Sequence, residues 1–169
     1  MTDKSRIKYS SITGFLLVCI FGSINHFIYQ LSGNNPVVGA FVPVNESVWE
    51  HLKLLFFPFV VYMLCEFFIY GHKIRGFLFS RVVGLLCGLI FIPVVFYTYT
   101  GIIGRSFFLL DILTFITASA LSFYVGTKRI LNSSDGGGKT IPALILIVCL
   151  TVLFVGFTFY PPDSPLFKA

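Results

Sequence analysis

Five apolar runs dominate this 169-residue chain, and each reaches the roughly 20 residues that a helix needs to cross a bilayer. The expected architecture is therefore all-α, a polytopic integral membrane protein. It consists of one transmembrane helical domain over residues 1–169, with helices over about 11–31, 45–70, 77–99, 106–131 and 141–160. A hydrophobic share of 56% against 11% charged residues, with a mean hydropathy of +0.90, leaves too little charge to clothe a soluble core of this size. Lipid is the solvent that such a chain expects.

The punctuation between the runs fits that reading. Ser32, Gly33, Asn34, Asn35 and Pro36 collect as breakers after the first span, and Val37–Val44 reads as an apolar loop. Asn45 is a good cap for the second span, which Gly71 and the basic turn His72-Lys73-Ile74-Arg75-Gly76 stop. Pro161 and Pro162 forbid continuation of the fifth. The first span is too long for a signal-peptide apolar region, contains Asn25 and His26, and lacks a small-x-small cleavage pattern, so it reads as an uncleaved helix.

Threading the spans alternately sorts the basic residues. Lys4, Arg6, Lys8, Lys73, Arg75, Arg81, Lys128, Arg129 and Lys139 fall on the amino-terminal side, and only Lys53, Arg105 and Lys168 on the other. Such a bias predicts a cytoplasmic amino terminus and an external carboxyl terminus. The net charge of +5 thus serves topology, and nucleic acid is not an expected partner. Cys19, Cys65, Cys87 and Cys149 stand singly in apolar spans, which predicts packing rather than disulfides or metal. Pro58 and Pro93 free the carbonyls of Leu54 and Leu89. Gly84-x-x-x-Gly88 and the small residues Ala118, Ser119, Ala120 and Ser122 predict close helix–helix packing.

The chemistry concentrates at Asn45-Glu46-Ser47-Val48-Trp49-Glu50-His51-Leu52-Lys53, which sets two carboxylates, a histidine and a lysine at the end of an apolar helix. At 100° per residue Glu46, Glu50 and Lys53 share one face, with Ser47 and His51 about a quarter turn away. An ordinary reading accounts for much of this: Asn45 caps, Glu46 complements the helix terminus, Trp49 anchors at the interface and Glu50 pairs with Lys53. Against it stands convergence, because His26 on the first span and Asp111, Tyr97 and Tyr99 on later ones lie at a similar depth. Ionisable groups at membrane depth are costly unless they pair or line a wet cavity.

The expected ligand-binding residues are therefore His26, Asn45, Glu46, Trp49, Glu50, His51, Lys53 and Asp111, facing an outward pocket for a small ligand or cation. His26, Glu46, Glu50 and His51 are the candidate ligands for a divalent metal. No H-E-x-x-H or G-x-S-x-G pattern occurs, so the sequence leaves catalysis open.

Glu66, near the other end of the second span, is expected to pair with Arg81 or Lys73, a proton relay being the sharper alternative. Asp135-Gly136-Gly137-Gly138-Lys139-Thr140 imitates a phosphate-binding loop but has Ser133 where the first glycine belongs, and reads as a flexible turn. Asn45-Glu46-Ser47 and Asn132-Ser133-Ser134 match the glycosylation pattern, the first abutting the membrane and the second on the cytoplasmic side. The Pro-stiffened tail Phe157–Phe167 is expected either to close over the outer pocket or to anchor at the interface.

His26-Phe27-x-Tyr29, Pro43-Val44-Asn45-Glu46-Ser47-Val48-Trp49-Glu50-His51-Leu52-Lys53 and the Pro161-Pro162-x-x-Pro165-Leu166-Phe167 tail resemble a family of small bacterial membrane proteins of unknown function. The likeness spans nearly the whole chain, with the Asn45–Lys53 motif its most specific part. It implies a bacterial plasma-membrane location and this topology, and supplies no mechanism. The resemblance also implies an acidic residue where this chain has Gln30, a departure that would alter any site using that carboxylate. Membrane lipids are the expected surroundings, and three functions are carried forward. Ligand or ion binding leads, with transport or permeation as its class; a metal-dependent enzyme acting on a lipid or lipid-linked substrate and an accessory or scaffold role follow.

Overall fold

A computed structural model describes residues 3–132 and 140–168. The Asp135–Lys139 turn and most of the Asn132-Ser133-Ser134 pattern lie outside the described residues. Those described form six α-helices and two short 3-10 turns, with no strand among them: α1 Asp3–Leu31, α2 Pro36–Gly39, α3 Val48–Ile69, α4 Phe77–Ile103, α5 Phe108–Asn132 and α6 Thr140–Phe159. All but α2 are long and apolar enough to cross a membrane, as the sequence leads one to expect.

Besides the start of α3, taken up with the site below, three stretches differ from expectation, each for a local reason. No breaker separates Asp3 from Ser11, so α1 carries its helix through Lys4, Arg6 and Lys8 before the apolar run begins. α4 continues past Tyr99 to Ile103 and stops at Gly104, whose φ of 82° is the left-handed conformation that glycine adopts without penalty. The stretch expected to be all loop contains the one-turn α2, where Asn35 Oδ1 accepts from the Val37 amide and Pro36 supplies a helical φ at the first position.

Helices α1, α3, α4 and α5 close a ring of neighbours, α1 lying against α3 and α5, and α4 against α5 and α3. α6 packs outside that ring on α4 and α3. The tightest seam is α4–α5. A Cβ on Gly84 would fall 2.2 Å from the Ser122 carbonyl oxygen, and one on Gly88 would fall 2.0 Å from the Ser122 hydroxyl, so only glycine admits this approach. The expected small-residue packing is thus internal to the bundle.

Gly22 plays a similar part between α1 and α3. It faces the Leu54 carbonyl, which Pro58 releases from the helical ladder, and an added Cβ would lie 2.7 Å from that oxygen. Between the two ends of the bundle the filling is apolar, with Val18, Leu55, Phe59, Met63 and Leu85 buried and Phe59 against Phe123 at 4.7 Å between ring centroids.

Candidate functional site

The Asn45–Lys53 motif is a loop that turns into a helix, and the turn sorts its polar groups into separate sites. Ser47, rather than Asn45, caps α3, its hydroxyl accepting from the Glu50 amide. Asn45 instead folds back so that its Oδ1 accepts from the Ser47 amide, an Asx turn that sends the chain into the helix. Glu46 is therefore outside α3, and the single face expected for Glu46, Glu50 and Lys53 does not form.

Glu50 and Lys53 turn inward together. Lys53 is fully buried, its Nζ 2.8 Å from Glu50 Oε2 and also donating to the Gly39 and Val42 carbonyls and to the Thr158 hydroxyl on α6. Glu50 Oε2 accepts from the Val44 amide as well, and its Oε1 lies 3.1 Å from the Thr158 hydroxyl. With both oxygens engaged, Glu50 is not placed to coordinate a metal with the histidines. The pair pins the 39–44 segment and α6 to the start of α3. Its desolvation, several kcal/mol per ion, is offset because every donor and acceptor finds a partner.

Trp49 also acts within the fold. Its ring packs against Phe154 and Phe157 of α6 and Phe167 of the tail, at centroid distances of 4.7, 5.5 and 5.0 Å. The tail thus returns to Trp49, with its 3-10 turn Pro165–Phe167 held against α3. Asp111, on α5, accepts a hydrogen bond from the Tyr99 hydroxyl on α4 and is outside the histidine cluster.

What remains of the expected constellation is a compact triad. His26 from α1, Glu46 from the loop and His51 from α3 bring one potential ligand atom each to within 4.8 Å of one another. His51 Nε2 is 3.4 Å from Glu46 Oε2 and His26 Nε2 is 3.9 Å from Glu46 Oε1, while the two imidazole centroids are 5.3 Å apart. The orientation of His51 is fixed from behind. Its Nδ1 is 2.9 Å from the Ser47 carbonyl, which can only accept, so Nδ1 carries the proton and donates. Glu46 is 70% exposed at its side chain and free to adjust; the histidines are about half as exposed or less.

Beside the triad lies a cleft of about 110 Å³, to which His26, Gln30, Asn34, Asn45 and Glu46 contribute polar groups. Gln30, where the resemblance implies an acid, and Asn34 were not in the set expected from sequence. Their part depends on how α1 ends against the Pro43–Glu46 loop, which no spacing rule encodes.

At the opposite end of α1 and α3 a second polar network forms. Arg81 is fully buried, with Nη2 2.6 Å from Glu66 Oε1 and 2.9 Å from the Ser11 hydroxyl, and Nη1 reaching Thr127. The expected pairing of Glu66 thus resolves to Arg81. Ser10 and Tyr70 donate to the same oxygen at 2.7 and 2.6 Å, whereas Glu66 Oε2 has no hydrogen-bond partner. Burial, reinforced by its bond to Glu66, pushes the Tyr70 phenol up to about 12, so it remains a donor at ordinary pH.

The family model described as a family of unknown function, DUF6512, matches residues 2–169. The chain belongs to this family. The DUF6512 match takes in the triad, the buried Glu50–Lys53 pair and the tail alike, and the family brings no activity with it. Comparison with curated proteins and with solved structures finds no match.

Proposed function

We propose that this DUF6512 protein binds a divalent transition-metal ion on His26, Glu46 and His51, at the external end of a helical bundle in a bacterial plasma membrane. One observation carries the reading. A carboxylate and two imidazole Nε2 atoms converge within 4.8 Å, with the His51 proton committed to Ser47 on the far side of the ring. The His51 Nε2 lone pair faces the Glu46 carboxylate, and the two repel unless a cation or a proton lies between them.

Nitrogen and carboxylate donors suit zinc, whose bonds of about 2.0–2.1 Å put tetrahedral ligand atoms roughly 3.3 Å apart. The contacts of 3.4 and 3.9 Å to the two Glu46 oxygens are near that spacing, and closing the 4.8 Å cluster onto one ion requires the exposed Glu46 and the half-buried histidines to move inward. The Ser47 carbonyl accepts from the His51 Nδ1–H and fixes the ring from behind, as carbonyls and carboxylates do for metal-bound histidines.

Three ligands leave a coordination position open toward the cleft, which keeps the metal-dependent enzyme as the second reading. Binding without conduction is favoured over transport by the apolar filling of Val18, Leu55, Phe59 and Met63 between the two ends. Elemental analysis of chelator-stripped protein reloaded with zinc is the test. One equivalent per chain is expected in the wild type and in Asp111→Asn. His26→Ala, Glu46→Gln and His51→Ala should each weaken binding by more than the roughly 10–100-fold cost of losing an outer-shell partner. A folded wild type that takes up no metal overturns the proposal and leaves a proton shared within the triad.

A further inference from the structure

The second network opens sideways into a groove that the metal reading does not use. It lies between α1 and α3 at the Arg81 end, has a volume of about 260 Å³, and is lined among others by Arg6, Tyr9, Ser10, Tyr62, Glu66 and Tyr70. Three features define what fits it. Arg6 stacks its guanidinium 4.8 Å from the Tyr70 ring centroid, which holds it at the rim with its N–H groups available for a planar two-point contact. Glu66, nearly fully buried and lining the same groove, keeps Oε2 without a partner while Arg81 neutralises its charge. The groove wall continues into apolar surface, with Ile69 65% and Tyr9 64% exposed.

At the same end of these two helices the chain carries Lys4, Arg6 and Lys8 at the start of α1, and Lys73 and Arg75 just after α3. Basic pockets between transmembrane helices attract anionic headgroups. A phosphodiester alone would use Arg6 and leave Glu66 Oε2 unsatisfied; a phosphodiester whose headgroup also bears hydroxyls meets both.

We propose that this groove is a binding site for an anionic phospholipid with a hydroxylated headgroup, its phosphate on Arg6, a headgroup hydroxyl donating to Glu66, and an acyl chain against Ile69. The proposal is independent of the metal site. Native mass spectrometry of the full chain in detergent, titrated with phosphatidylglycerol or phosphatidylcholine, tests it. At least about tenfold stronger retention of phosphatidylglycerol is expected. Arg6→Ala should abolish that preference and Arg6→Lys retain part of it. Cys65→Phe, which fills the groove and changes no charge, should lower phosphatidylglycerol binding as well. Lys128→Ala, a charge removed from α5 outside the groove, should leave it unchanged. Equal retention of the two lipids by the wild type overturns the site, as does a loss in Lys128→Ala matching that in Arg6→Ala, or full binding by Cys65→Phe.

Discussion

Lys53 and Glu50 carry opposite charges where almost no solvent reaches. Removing one leaves a buried ion facing polar groups arranged for its partner, a loss of about 3–5 kcal/mol. Lys53→Met is therefore expected to lower the thermal unfolding midpoint in detergent sharply, whereas Glu50→Gln combined with Lys53→Met should recover a substantial part of the loss. Equal instability of the single and double variants would mean that Lys53 acts through its bonds to the Gly39 and Val42 carbonyls alone. The histidines behave differently at this scale, since His26 and His51 remain 27% and 31% exposed at their side chains and can be changed without opening the core.

Among the elements, the α4–α5 seam depends most on a missing side chain. Gly84 meets the Ser122 carbonyl and Gly126, both backbone, so an added methyl cannot be accommodated by a rotamer change. Gly84→Ala must push the helices apart at a cost of at least about 1–3 kcal/mol. Gly101→Ala, on the same helix with open space around it, should be neutral or slightly stabilising. Unfolding of both variants, followed by circular dichroism, checks the contrast. The same reasoning explains why a glycine pattern that resembles a dimerisation motif is spent inside the chain. Its partner surface, Ala118 and Ser122, lies on the very next helix.

For the molecule as a whole, the two polar networks sit at opposite ends of the same helix pair. α1 contributes Ser10 and Ser11 to one and His26 to the other, and α3 contributes Glu66 and His51. The charge distribution favours the Arg81 end as cytoplasmic. With Cys19, Cys65, Cys87 and Cys149 replaced by Ala, a Lys168→Cys variant should react with an impermeant maleimide in intact cells, and Lys4→Cys only after lysis. The reverse pattern would place the triad in the cytoplasm and move the metal reading to that compartment.

The five spans were legible because the requirement that sets them is one-dimensional: a helix in lipid needs an apolar run of a given length, and Gly71, Pro161 and the Ser32–Pro36 cluster mark its ends. Local pairings within reach of a few residues were legible too, as with Glu50 and Lys53, and so was the choice of counter-ions open to Glu66. The tertiary structure alone decided how the polar groups divide. Moving the cap from Asn45 to Ser47 takes Glu46 off the helix and gives it to His26 and His51, while Glu50 is claimed by Lys53 and by Thr158, 108 residues away. Which histidine meets which carboxylate depends on the axial register of α1 against α3. That register is set by Gly22 against the Leu54 carbonyl and by apolar packing along both helices, and neither leaves a signature in residue spacing.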